Sequence, residues 1–126
     1  MMQSRTDYFF NEKIKDINHA LECQCVDMFD LIGSVRDRFS SPYISTSIAS
    51  LHVINDLWDA LLCVFLYSTT YDNKFYAIAT MSDISLYSKR RNINLRCDEL
   101  EQWRKEHHSN NSTDELLECV DDILLR

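Results

Sequence analysis

The sequence predicts an all-α fold: a single-domain bundle of four to five helices around one buried central helix, spanning residues 1–126. Three observations predict it. Leu51 to Tyr67, LHVINDLWDALLCVFLY, is the most apolar stretch of the chain, and a helix apolar on most of its circumference is stable only where neighbours cover several sides. Apolar residues on either side of it recur at spacings of three and four, the helical period. Gly33 and Pro42 are the one glycine and the one proline, against usual shares of roughly 7% and 5%. Tight hairpins and phosphate-cradling loops both use glycine at positive φ, so neither strands nor a nucleotide-binding loop is expected.

The 126 residues suit one domain with a real core. At 45% hydrophobic and 26% charged, the composition matches ordered globular proteins. The central stretch is no membrane anchor: Asp59 and Ser68 bound its fully apolar run, whereas a bilayer span takes roughly 20 such residues. The five cysteines are odd in number and MMQSRTD leads into no apolar signal segment. A cytoplasmic location is expected, with the thiols acting as small buried hydrophobes.

Taken in order, Phe10, Ile14, Ile17, Leu21, Cys25, Met28, Ile32, Val35 and Phe39 share one helical phase. Read as one piece the helix would rise about 45 Å at 1.5 Å per residue, wider than a domain of this size, so it must overhang, bend or break. Gly33 is the expected weak point, since glycine inside a helix costs roughly 1 kcal/mol relative to alanine. Ser41 and Pro42 then read as the N-cap and first residue of a second helix running into the central stretch. Tyr71 to Lys74 reads as a turn, and residues 75–88 as a helix, there being no second strand for them to pair with. KRRNIN, 89–94, reads as a basic loop. A further helix is expected over 95–108, with Leu100, Trp103 and His107 in phase and Glu101 four residues before Lys105. Ser112 with Glu115 makes a capping box for a last helix whose buried stripe is Leu116, Leu117, Val120, Ile123 and Leu124.

No catalytic residue, metal ligand or cofactor is assigned from these patterns. His19 and Cys23 stand at i,i+4, but a structural zinc site takes four ligands and Cys25 points elsewhere on the helix, so packing is the better account. Asp56 and Asp59 could rim a groove beside the core helix, yet no nucleophile, histidine or glycine-rich turn accompanies them in sequence. The arginine-to-histidine spacing of HEPN ribonucleases is absent. Lys89, Arg90, Arg91 and Arg96 could touch phosphate, but the chain carries −7 overall, against the basic footprint of nucleic-acid binders. A solvated loop or a counter-charge to the last helix is the better account of them.

The acids are unevenly placed, and residues 98–126 hold nine of the twenty. Asp98, Glu99 and Glu101 open one helix, while Asp114, Glu115, Glu118, Asp121 and Asp122 decorate the last. Carboxylates near helix N-termini favour the macrodipole, and an acidic surface also favours basic partners. In size, charge and helical character the chain resembles the small acidic immunity proteins of bacterial toxin systems, such as those of contact-dependent growth inhibition. That resemblance implies a cytoplasmic protein that binds a cognate basic toxin and blocks its active site. A nuclease is the expected target, an RNase ahead of a DNase, because its cleft is basic. The eight acids named above are the expected contact residues, with no direct nucleic-acid or membrane binding. The alternative is a helical adaptor or secretion chaperone that takes an amphipathic segment in a groove.

Overall fold

The computed structural model describes residues 5–23, 28–40, 50–68, 70–106 and 114–125. These residues form six α-helices and no strand: α1 (Arg5–Cys23), α2 (Met28–Ser40), α3 (Leu51–Tyr67), α4 (Tyr71–Arg90), α5 (Asp98–Glu106) and α6 (Asp114–Leu125). No helix among them is long and apolar enough to cross a membrane.

The long first periodicity is carried by two helices. Residues 24–27 lie outside the described residues; Gly33 falls within α2, so it is not the break. It lies inside α2 with nothing within 4 Å of where a Cβ would stand, and a helix already packed on one side tolerates its modest cost. The shared phase remains visible in burial: Phe10, Ile17, Met28, Ile32 and Val35 are buried, and Ile14, Leu21 and Phe39 half-buried. Phe10 stacks on Phe39 at 5.1 Å between centroids, and Phe39 meets Tyr87 edge-on at 5.2 Å. A line of rings thus joins α1 and α2 to α4.

The core helix begins at Leu51 and does not continue unbroken from Pro42. Ser50 is extended at φ −63° and ψ 144°; Ser41, Pro42 and the rest of 41–49 lie outside the described residues. Leu57, Trp58, Leu61, Val64 and Phe65 are all 0% exposed. Neither end of α3 carries its own complementary charge, with no acid in the first turn and no base in the last. Distant side chains supply both. Asp7 of α1, only 4% exposed, accepts hydrogen bonds from the Ser50 backbone N–H and hydroxyl. Lys74 of α4 donates through Nζ to the carbonyls of Phe65 at 2.6 Å and Leu66 at 3.4 Å. An anion at the N-terminus and a cation at the C-terminus are what the macrodipole favours.

Tyr71 to Lys74, expected as a turn, is the first turn of α4. Thr70 is its N-cap, accepting from the Asn73 N–H at 3.3 Å. Aspartate and asparagine serve turns and helix starts alike, because their side chains compete for local backbone groups. Residues 75–88 are helical as expected. The helix ends in a Schellman motif: Ile93 N–H donates to Ser88 O at 2.8 Å and Asn92 N–H to Lys89 O at 3.3 Å, with Asn92 at φ 57°. That left-handed position is usually glycine's, and asparagine is its common substitute.

Helix α5 starts at Asp98 rather than at the expected 95, with Asp98, Glu99 and Glu101 in its first turn, where carboxylates suit the dipole. His107, His108 and Ser112 lie outside the described residues. Trp58 donates through Nε1 to Arg96 O at 2.8 Å, which pins residues 92–97 onto α3. In α6, Leu116, Leu117, Val120 and Ile123 are buried and Leu124 half-buried. Helix α4 packs against α2, α3 and α6; α1 against α2 and α3; α5 against α6.

Candidate partner-binding surface

The acids expected to act as one C-terminal face are divided by their neighbours. On α5, Asp98, Glu99 and Glu101 are exposed. Glu99 and Asp59 face Cys63 of α3, while Glu101 and Asp98 face Cys97. On α6, Glu118 and Asp122 are exposed and face Cys119 together with Glu115. Two members of the expected set bond to other helices. Asp121 receives Arg104 of α5 through Nε at 2.7 Å and Nη2 at 3.4 Å, a two-point bond joining α5 to α6. Glu115 accepts from the Tyr71 hydroxyl at 3.0 Å, tying α6 to α4. Asp114 opens α6, and its side chain lies outside the described residues.

Two of the bases of 89–96 have partners outside the last helix. Arg91 sits over the Tyr87 ring at 4.0 Å, and Arg96 reaches Asp59 of α3 at 3.4 Å. Lys89 and Arg90 are exposed in the last turn of α4, where cations suit the dipole.

Asp56 and Asp59 do lie at the rim of a groove. A cleft of about 360 Å³ between α1 and α3 is lined by both, with Ile14, Asn18, Ala60 and Cys63. Asp56 is shared with a wider cleft of about 760 Å³ bounded by His52, Asn55, Asn94 and Arg96. Burial pushes the Cys63 thiol up from its ordinary pKa, and the charges of Glu99 and Asp59 push it further. The thiol beside the two acids is thereby held protonated at neutral pH, the state in which cysteine is a poor nucleophile. His19 is exposed on α1; the side chain of Cys23 and the whole of Cys25 lie outside the described residues. No group of three or more histidine, cysteine, aspartate or glutamate side chains among the described residues is placed to hold a metal.

The feature that sequence reasoning missed is aromatic. Phe29, Tyr76, Phe75 and Tyr71 touch in series across α2 and α4. The spacing of 71, 75 and 76 on a helix was the available signal, hidden by reading 71–74 as a turn. Tyr71 meets the α6 carboxylates here: desolvation raises its phenol above the ordinary range, and its bond to Glu115 and the charges of Glu115, Cys119 and Asp72 add to this. Comparison with protein-family models, with curated proteins and with solved structures finds no match to this chain.

Proposed function

We propose that this chain is an immunity-type protein that binds a cognate basic toxin acting in the cytoplasm and blocks its active site, that of a nuclease, an RNase ahead of a DNase. In this reading the scaffold is the predicted bundle around α3, and the binding charge is presented by α5 and α6. One observation carries it: Asp98, Glu99, Glu101, Glu118 and Asp122 are exposed, and none of them is held in an ion pair among the described residues. Carboxylates left to solvent on a chain of net charge −7 create a field that speeds the approach of a cationic protein and matches a cleft built for phosphate.

The test is binding kinetics against the product of a neighbouring toxin-like gene, with protection of cells read in parallel. Association should slow steeply as salt rises through about 0.1 M, where the Debye length is about 10 Å. Reversing Glu118 and Asp122 to lysine should slow it further while leaving thermal unfolding unchanged, because both side chains are exposed. Salt-independent association would remove electrostatic steering. Binding of a partner without protection would favour the adaptor reading.

A further inference from the structure

The aromatic series across α2 and α4 is solvent-facing. Phe29 meets Tyr76 edge-on at 4.9 Å between centroids, Tyr76 meets Phe75 at 6.5 Å, and Phe75 lies parallel to Tyr71 at 6.4 Å with planes 13° apart. Phe29 is 54% exposed and Tyr71 40%, with Phe75 and Tyr76 half-buried between them. Rings that support one another in this way are rigid apolar surface, the kind that anchors protein interfaces.

Other rings of the molecule show what chemistry such surface takes. Lys13 and Arg38 stand over Phe9 at 5.5 and 4.3 Å, and Arg91 over Tyr87 at 4.0 Å. Over Tyr71, Phe75 and Tyr76 there is no cation among the described residues. Lys74, their neighbour in sequence, is turned to the carbonyls ending α3. What borders these rings is negative. Glu115 receives the Tyr71 hydroxyl, Asp72 adjoins it, and Glu118 and Asp122 face the Cys119 thiol that Tyr71 also faces. The cation that approaches Cys119 from α2, Arg36, is held by Asp83 at 3.2 Å. Half-exposed rings with no described cation over them, edged by a carboxylate, suit a guanidinium, which stacks on the ring while its N–H groups reach the acid. Phosphate would be repelled by the same acids.

We propose that Tyr71, Phe75 and Tyr76, extended by Phe29 and edged by Glu115, form the docking face for an arginine-bearing segment of a partner protein. The proposal rests on the protein-binding reading above and specifies where the partner engages and by what chemistry. Arginine is preferred to lysine because its planar fork stacks and bonds in two directions at once, which a point charge does not.

The experiment is a titration of isotope-labelled protein with oligo-arginine and oligo-lysine peptides of equal length, followed by NMR. Oligo-arginine should saturably shift the amides of 71–76 and 115–118 and bind more tightly than oligo-lysine. The double variant Tyr71→Ala, Tyr76→Ala should lose about tenfold in oligo-arginine affinity, with its circular dichroism unchanged, and Glu115→Gln should lose less. Equal affinity for the two peptides, shifts centred on 98–101, or undiminished affinity of the double variant would overturn the proposal. So would a homodimer that dissociates on Tyr76→Ala, which would give the face to a second copy. The two readings fail separately. A toxin neutralised equally by parent and double variant would remove this docking face and leave the immunity reading standing. Arginine-selective binding on the rings, in a protein that protects against no toxin, would do the reverse.

Discussion

Helices α3 and α4 lie against each other and are built on opposite principles. In α3 the buried positions are Val53, Ile54, Leu57, Trp58, Leu61, Leu62, Val64 and Phe65, with Ala60 the only small one. In α4 they include Ala77, Ala79, Thr80, Ser85 and Ser88 among Ile78, Met81, Ile84 and Tyr87. Helix α4 packs against α2, α3 and α6, so it has no single apolar stripe, and small side chains let three neighbours approach its backbone. The difference teaches that amphipathic pattern reports one-sided burial. A helix covered from several directions shows either unbroken apolarity, as in α3, or small residues of mixed polarity, as in α4.

The contrast has measurable consequences, and truncation should show the largest. Leu61→Ala, at a position 0% exposed, should cost about 2–5 kcal/mol in urea unfolding, whereas Ala77→Leu in α4, also at 0% exposure, should cost about 1–3 kcal/mol through overpacking. The reverse order would make α4 the more tightly constrained helix.

Next in size are the two borrowed charges at the ends of α3. Asp7→Ala removes a buried carboxylate that accepts two hydrogen bonds from Ser50 and should cost about 1.5–3 kcal/mol. Lys74→Met removes two bonds to carbonyls from a more exposed group and should cost about 0.5–1.5 kcal/mol. Hydrogen exchange should show the loss in the first and last turns of α3 respectively. Unchanged protection there would refute the capping role.

Smaller, and opposite in sign, is the effect of α4's buried hydroxyls. Thr80 Oγ1 and Ser88 Oγ have no hydrogen-bond partner among the described residues, so Thr80→Val should raise stability by about 1 kcal/mol. A fall in melting temperature would show that the hydroxyl is satisfied.

The smallest effect is alkaline. Burial raises the thiol pKa values of Cys63, Cys97 and Cys119, and nearby carboxylates raise them further. The folded state therefore holds these protons longer than the unfolded chain. Their contribution is complete below the ordinary thiol pKa of about 8.5 and is lost as pH rises through the raised values. Burial lowers the pKa of Lys74, so desolvation offsets part of what its bonds to the α3 carbonyls contribute, and that offset is relieved as pH rises above the lowered value. Stability should fall above about pH 8.5, and replacing the three cysteines with alanine should flatten the slope. An unchanged slope would locate the titration elsewhere.

Much of the fold was legible because it follows from periodicity. The core of α3, the stripe of α6 and the helical state of 75–88 needed only spacing. That Gly33 sits inside a helix was not legible, since the one glycine of a long apolar phase reads as its weak point. The capping of α3 by Asp7 and Lys74 was invisible for another reason: Asp7 and Ser50 are 43 positions apart, and no local rule pairs them. The candidate surface was half legible. Asp56 and Asp59 do rim a groove, and the acids of α5 and α6 are largely exposed. That Asp121 and Glu115 are engaged depends on Arg104 and Tyr71 coming from other helices, and pairings of that kind exist only once the chain has folded.

The dependence of α4 on α6 means that a chain ending at Arg90 would be incomplete on one side. Helices α2 and α3 would still cover two of the three sides of α4, while the third would lack α6 and the Glu115 carboxylate that receives the Tyr71 hydroxyl. Such a truncated chain should be more adhesive than the whole protein, and light scattering of the two at equal concentration would show it.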